Sequence, residues 1–592
     1  MPHVGDLIAQ LLLEHDVTHV FGQPGGQTAA LYDGIKRRSP GIQHVLVRDE
    51  RSAGYAADAY ARITGKPGVC DVTVGPGTTK LPDGLLEALN ASIPMIALVG
   101  ELPRDWETYR DHGVASQGFD QVSYLKTMTK SVWTVPSVNA LPSVMRSAFR
   151  VSTSGRPGPV AIIIPHDIMD AEWDGADVSE AVDDRYTRAP SHRPRASDEE
   201  IAAAVAVLER AERPAIIAGG GVHGSRAYAE LAALAEALDA AVVTSFSGKG
   251  AIDDRNPLSA GVCNPLGSPA ASKLAKEADT LIWIGSKVGQ NTSLNWSLPT
   301  AEQVTVQIDL DATELGRTFR PTAALNGDIR ETTAALVQRL TARSRPAWRE
   351  TIAKAKEETG QTLDTDRAST AVPIQPPAVM AILDAKLGER DIVVSDASFS
   401  AGWIATYLTA AGAGRNFLHA RGLGGLGYAV PAALGAGSVV GEGGHVVTVN
   451  GDGGFSFGLG ELATQAQHGL PVVNVVLNNG SLGWLRMWEE IYYQGLRQSV
   501  DLVSGERFPD FAAVGAALGC AGIRVEKPDE LGAAFDAAFE LTGPSVLDIR
   551  IDPDATPIGS LRRRLAEPKD YARPGTVYEL LPWKRSPEPG AS

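Results

Sequence analysis

Residues 446–479 read VVTVNGDGGFSFGLGELATQAQHGLPVVNVVLNN, and this stretch decides the fold. An apolar, β-branched run enters a turn built on Gly451, Gly453 and Gly454. Apolar residues at helical spacing follow (Leu459, Leu462, Ala463, Ala466), and a second apolar run closes the stretch. This is a strand–helix–strand unit. A right-handed crossover makes the strands parallel, so Asp452 and Asn479 both emerge at carboxyl ends, where open α/β sheets bind ligands. A carboxylate, an amide oxygen and the backbone carbonyl of Ser481 are hard donors of low total charge, a set that suits Mg²⁺ completed by phosphate oxygens. Backbone N–H groups of the glycine turn, at a helix start, favour a diphosphate. Gly-Asp-Gly alone is a tight turn and Asn-Asn-Gly alone a loop. Their 27-residue separation across one strand–helix–strand unit is what carries the chemistry.

The rest of the composition bounds the protein class. The chain has 592 residues, 44% apolar and 21% charged, long enough for about three or four domains. Cys70, Cys263 and Cys520 lie far apart with no paired spacing, which excludes a disulfide framework and a zinc site and makes a reducing compartment the default. The N-terminus has an acidic residue and helical periodicity where a signal peptide starts basic, and no uncharged apolar run reaches about 18 residues, so a cytoplasmic protein without membrane contact is expected. A net charge of −16 argues against a nucleic-acid partner.

Outward from the central unit, residues 1–175 alternate short apolar runs with helical stretches, as a doubly wound domain does. Two loops follow strands there, Pro24-Gly25-Gly26 and Gly75–Thr79 (GPGTT), and they include candidate ligand contacts at Pro24, Gly25, Gly26 and Thr78. Glu50 ends one strand, HVLVRDE, and precedes a helix of small residues; read alone it is a solvated helix cap. An Asp-, Pro-, Arg- and Ser-rich linker leads to a second α/β domain over 195–335. Its Gly219, Gly221 and Gly224 satisfy GxGxxG, the signature of a nicotinamide-dependent dehydrogenase, but the next strand ends without an acid for a ribose, and Asp239 precedes that strand. A charged helical connector follows, then a third domain over 375–555 and a tail over 556–592 with seven basic residues against four acidic.

The segment RDERSAGYAADAYARITGKPGVCDVTVGPGTTK, with the paired GDG and NN motifs, resembles the thiamine diphosphate (ThDP) enzymes of the acetolactate synthase, 2-hydroxyacyl-CoA lyase and oxalyl-CoA decarboxylase group over roughly residues 1–555. The resemblance implies three doubly wound α/β domains: pyrimidine-binding, central and diphosphate-binding. It makes Glu50 the match to the glutamate that hydrogen-bonds N1′ of the aminopyrimidine, whose imino tautomer activates thiazolium C2. Gly451, Asp452, Gly453, Gly454, Asn479 and Ser481 then hold the diphosphate and Mg²⁺, and Leu426 supports the V-shaped cofactor, though a bare Leu is ordinarily core. Gln117 matches the glutamine of a family segment AFQE in which Ser116 replaces Phe, and Lys80 stands where Asn is frequent. Trp484, Trp488, Glu489 and Glu490 fall in a segment that lines the substrate channel in relatives. The resemblance also implies a homodimer or homotetramer with active sites shared between chains.

Relatives hold FAD or ADP in the central domain. Ser286–Ser293 (SKVGQNTS) replaces the VRFDDR-like segment of the FAD binders, so FAD is not expected, while ADP remains a candidate there, with Asp309 and Asp311 facing a ribose or capping a helix. That segment, Ser116 and a basic tail led by Arg562, Arg563 and Arg564 favour a carbon–carbon lyase that cleaves a 2-hydroxyacyl-CoA to formyl-CoA and a ketone or aldehyde. Glu490 is then the base, and the arginines are a lid on CoA phosphates. The alternative is an acetolactate synthase-like carboligase acting on pyruvate.

Overall fold

A computed structural model describes residues 2–38, 40–493, 495, 497–503 and 507–557. Arg562, Arg563 and Arg564, and with them the expected lid, lie outside the described residues.

Three six-stranded, all-parallel sheets organise the chain. The first contains His19–Gly22 (β1), Gln43–Leu46 (β2), Gly68–Val72 (β3), Met95–Glu101 (β4), Val132–Thr134 (β5) and Pro159–Pro165 (β6), in the order β2-β1-β3-β4-β6-β5. The second contains Pro214–Ala218 (β7), Ala241–Thr244 (β8), Ser259–Val262 (β9), Thr280–Ile284 (β10), Val304–Asp309 (β11) and Ala323–Asn326 (β12), in the order β12-β11-β10-β7-β8-β9. The third contains Ile392–Ser395 (β13), Phe417–His419 (β14), Val446–Gly451 (β15), Val472–Asn478 (β16), Ala521–Val525 (β17) and Ser545–Arg550 (β18), in the order β14-β13-β15-β16-β18-β17. Central strands such as β4, β6 and β16 are buried along their whole length. That is why they read as continuous apolar runs rather than alternating ones.

The first and third sheets share a core. Helix Glu50–Thr64 lies against helix Ala429–Gly437, and both are rich in Ala and Gly because their backbones nearly touch: a Cβ on Gly435 would sit 1.9 Å from the Ala56 carbonyl oxygen. A buried polar network fastens this contact. Arg62 donates to Asp58 (2.7 Å) and Glu87 (2.8 Å), and the Tyr428 hydroxyl donates to Asp58 (2.7 Å). With each partner supplied, burying these charges is tolerated.

The helical stretch after Gly-Asp-Gly differs from its expected pattern. It forms two helices, Asp452–Ser456 and Gly460–Gln467, and in the second the polar Glu461, Thr464 and Gln465 are buried while Ala463 and Ala466 are only half-buried. The cause is partners on other elements: Glu461 accepts the N–H groups of Arg48 (2.9 Å) and Asp49 (3.2 Å) from the first domain, and Asn474 of β16 donates to Gln465 (2.8 Å). A pattern that scores apolarity alone cannot see such a satisfied polar face.

No helix among the described residues is long and apolar enough to cross a membrane, and the three cysteines are buried and free.

Candidate active site

The third sheet brings Asp452 and the Asn479 loop into direct contact. β15 and β16 pair in parallel with Gly451 beside Leu477, so the loops that follow leave the sheet together. One Asp452 carboxylate oxygen accepts the Gly480 N–H (2.6 Å) and the other its neighbour Gly453 N–H (2.9 Å). Asn479 Oδ1 accepts the Ser481 N–H (3.1 Å), and the Ser481 hydroxyl donates to Val500 O (3.1 Å), which braces the loop from below. Asp452 is 2% exposed and burial pushes its carboxyl up to about 6, against the pull of the backbone N–H groups. Among the described residues it forms no ion pair. A buried carboxylate without a cationic partner is costly; a cation supplied from outside the chain relieves that cost. No cluster of three or more His, Cys, Asp or Glu offers an all-protein cage among the described residues. The donor set therefore fits a hard cation that brings further oxygen ligands with it.

Asp396, at the end of β13, was not singled out by the sequence, and it shapes this site. Its carboxylate accepts the N–H groups of Ala397 (2.7 Å), Gly427 (3.0 Å) and Tyr428 (3.4 Å). It also lies where a side chain on Gly454 would be, 2.2 Å from the position of a Cβ, so the second glycine after Asp452 is required by Asp396. Glu87 from the first domain holds the other end of the same loop through Gly422 N (2.9 Å) and Leu423 N (2.7 Å). Between these anchors Leu426 is not core: it stays 36% exposed.

Burial pushes the Asp396 carboxyl up to about 6. A raised folded value means that its contribution is fully present below the unfolded value near 3.8 and is lost as pH rises through about 6. Asp396→Asn keeps an acceptor for Gly427 and removes the charge. Its stability relative to the parent should therefore improve as pH rises from about 4 to 6, measured as the difference in thermal midpoints between acidic and neutral buffer. A constant difference would contradict the assignment.

The first sheet supplies a second pole. Glu50 begins helix Glu50–Thr64, is almost fully buried, and accepts Lys80 Nζ on Oε2 at 2.8 Å. Gly25 lets the Pro24–Gly26 loop lie against Thr73, the residue after β3, since its Cβ would come 2.2 Å from Thr73 Oγ1; Gly26 faces open space and Pro24 is exposed. Gly75, in the left-handed region (φ 72°), approaches the backbone of Gln117, which places the exposed Ser116 and Gln117 beside the GPGTT loop. Thr78 is turned inward, its hydroxyl bonded to Thr73 O (3.1 Å) and to Gln121 Oε1. Gln121, buried and also donating to Gly100 O (3.0 Å) and Glu101 (2.8 Å), is the fully buried glutamine of this region, and it carries no motif that sequence reading could have caught.

Within one chain, a hydrogen bond links the segments that carry the two poles. Arg51, next to Glu50, donates to Phe457 O (2.9 Å), just beyond the Gly-Asp-Gly turn. Trp484 and Trp488 are partly buried against the core of the third sheet, Trp484 edge-on to Phe399 at 5.6 Å. Glu489 accepts the Gln498 N–H (3.2 Å), and the Glu490 carboxylate is engaged by Arg497 at 2.6 and 3.1 Å.

The GxGxxG of the central domain is spent on packing. Gly219 N–H donates to Ile284 O (2.9 Å) and Gly221 N–H to Gly285 O (3.0 Å), and a Cβ on Gly219 would sit 2.1 Å from Gly285 O. These N–H groups are not offered to a pyrophosphate. Asp309 accepts Asp311 N (2.9 Å), and Asp311 in turn accepts Thr313 N (2.9 Å), so both carboxylates shape turns. Lys287, from the segment that replaces the FAD-type sequence, donates to Asn90 O across to the first domain, and burial holds its amine down at about 8.

Comparison with known proteins fits this geometry. Residues 2–124 match the thiamine pyrophosphate enzyme N-terminal TPP binding domain, 201–336 the central domain and 396–549 the C-terminal TPP binding domain. Similar proteins include a probable acetolactate synthase large subunit of Methanocaldococcus jannaschii, 33% identical over 93% of this chain and 92% of that one. The acetolactate synthase isozyme 2 large subunit of Escherichia coli K12 is 31% identical over 92% and 95%. The acetolactate synthase large subunit of Corynebacterium glutamicum is 31% identical over 93% and 86%.

Proposed function

Since the chain belongs to the thiamine pyrophosphate enzymes of the acetolactate synthase group, we propose that it decarboxylates a 2-oxo acid such as pyruvate and joins the remaining two-carbon unit to a second 2-oxo acid. The observation that carries this reading is likeness over nine-tenths of both chains to proteins named acetolactate synthase. It reverses the order of preference drawn from sequence: the acyl-CoA lyase rested on the segment that replaces the FAD-type sequence, on Ser116 and on a basic tail whose arginines lie outside the described residues, and the names of the relatives favour the carboligase.

ThDP, when bound, supplies the C2 nucleophile that adds to the substrate carbonyl. In the proposed arrangement residues 1–175 hold the pyrimidine, 195–335 form the central domain and 375–555 hold the diphosphate. Asp452, Asn479 and the Ser481 carbonyl bind Mg²⁺, Gly453 and Gly454 leave room for the diphosphate, and Leu426 supports the cofactor from the loop that Asp396 and Glu87 anchor. Glu50 accepts a hydrogen bond at N1′. Ser116, Gln117, Trp484 and Trp488 border the substrate side, while the Glu490 carboxylate, tied to Arg497, serves that wall rather than acting as a free base. Active sites are shared between the chains of a homo-oligomer.

Chromatographic product analysis after incubation with pyruvate, ThDP and Mg²⁺ tests the reaction. Acetolactate and CO₂ in a one-to-one ratio are expected. Formyl-CoA from a 2-hydroxyacyl-CoA, with no acetolactate from pyruvate, would restore the lyase reading and reject this one.

A further inference from the structure

We propose that Lys80 is a positioning residue for Glu50, holding one oxygen of its carboxylate so that only the other is offered to the cofactor pyrimidine. The inference rests on the proposed cofactor role of Glu50. Lys80 Nζ lies 2.8 Å from Glu50 Oε2 and 3.5 Å from an Asp49 carboxylate oxygen. Glu50 Oε1 accepts no hydrogen bond among the described residues. A carboxylate with one oxygen held and one open, in a nearly buried setting, is aimed rather than free to rotate. The hydrogen bond to Glu50 also raises the Lys80 amine above its ordinary range, which keeps it a cation.

The position of Lys80 is itself fixed. It closes the short helical turn Thr78–Lys80, directly after the loop in which Gly75 rests on Gln117 and Thr78 is bonded to Gln121. The lysine thus ties the GPGTT loop to the first turn of the Glu50 helix, two elements brought together only by folding. An ordinary surface ion pair would contribute little, and Lys80 is 46% exposed; its partner, however, is 9% exposed in its side chain. Of the charged and titratable groups around Glu50, Asp49 lies within 3.5 Å of Lys80, the Arg51 guanidinium donates to Phe457 O, and Tyr32, from the helix Ala29–Arg37, donates its hydroxyl to Asp71. Lys80 is the cation in hydrogen-bond contact with Glu50.

A fixed positive charge beside this carboxylate makes any neighbouring protonated group release its proton at lower pH. The exchange of the ThDP C2 proton for deuterium, followed by NMR after acid quench of the loaded protein, reads that proton release without turnover. Lys80→Met should displace the pH profile of exchange upward by about one unit, the low end for a close opposite charge. Lys80→Arg should restore it, and calorimetric ThDP affinity should change by less than about fivefold in either variant. An unmoved profile in Lys80→Met with ThDP bound, or an equal displacement in Lys80→Arg, would overturn the inference alone. Failure of the parent protein to bind ThDP would overturn the cofactor reading and this inference with it.

Discussion

Asp452→Ala is expected to abolish Mg²⁺-dependent binding of ThDP. The carboxylate is buried, lacks a cationic partner among the described residues, and bonds Gly480 N on the facing loop. Its removal therefore takes away a proposed metal ligand and the contact that ties Asp452 to the Asn479 loop. Loss of an outer-shell partner of a metal ligand already costs about 10–100-fold in affinity, and loss of the ligand itself should exceed that. Calorimetric titration with ThDP at saturating Mg²⁺ checks it: no heat of binding is expected up to concentrations that saturate the parent protein. Unaltered affinity would remove Asp452 from the metal site. The Gly480 N–H left without an acceptor would cost about 1–3 kcal/mol locally, so circular dichroism should accompany the titration to show that the variant is folded.

Glu50→Gln should bind ThDP and lose about 10²–10⁴-fold in turnover, the range that a well-placed proton-transfer group contributes. The amide keeps the size of the side chain and its position at the start of helix Glu50–Thr64. It loses the charge that faces Lys80 and would face N1′. Steady-state kinetics at saturating ThDP separate the effects: a lowered kcat with ThDP affinity retained assigns Glu50 to activation, and a near-parental kcat would reduce it to a helix cap.

Asp452 and Asn479 could be singled out in the sequence because each directly follows a strand beside a chemically distinctive neighbour, glycines or a second Asn, and Glu50 because it opens a small-residue helix. The parallel sheets were legible for a related reason, since strands buried on both faces read as unbroken apolar runs. Asp396 stands at a strand end too, but its neighbours Ala397 and Ser398 carry no such signature, and its task, holding Gly427 and Tyr428 N–H, links residues about thirty positions apart. Gln121 and Glu87 escaped for the same reason. Leu426 shows the opposite limit: an apolar residue that composition assigns to the core is held at the surface because two carboxylates, Asp396 and Glu87, anchor the loop around it. Glu461 and Gln465 are buried through partners on other elements, which helical periodicity does not encode.

A crystal structure of the protein with ThDP and Mg²⁺ tests the central claim most directly. The account predicts one metal bound by Asp452, the Asn479 amide oxygen and the Ser481 carbonyl of one protomer, with the pyrimidine N1′ of the same cofactor against Glu50 Oε1 of its partner. Both poles supplied by a single chain would correct the sharing of sites and leave the chemistry standing. A diphosphate bound away from the Gly451–Gly454 turn, or a pyrimidine that does not reach Glu50, would contradict the account.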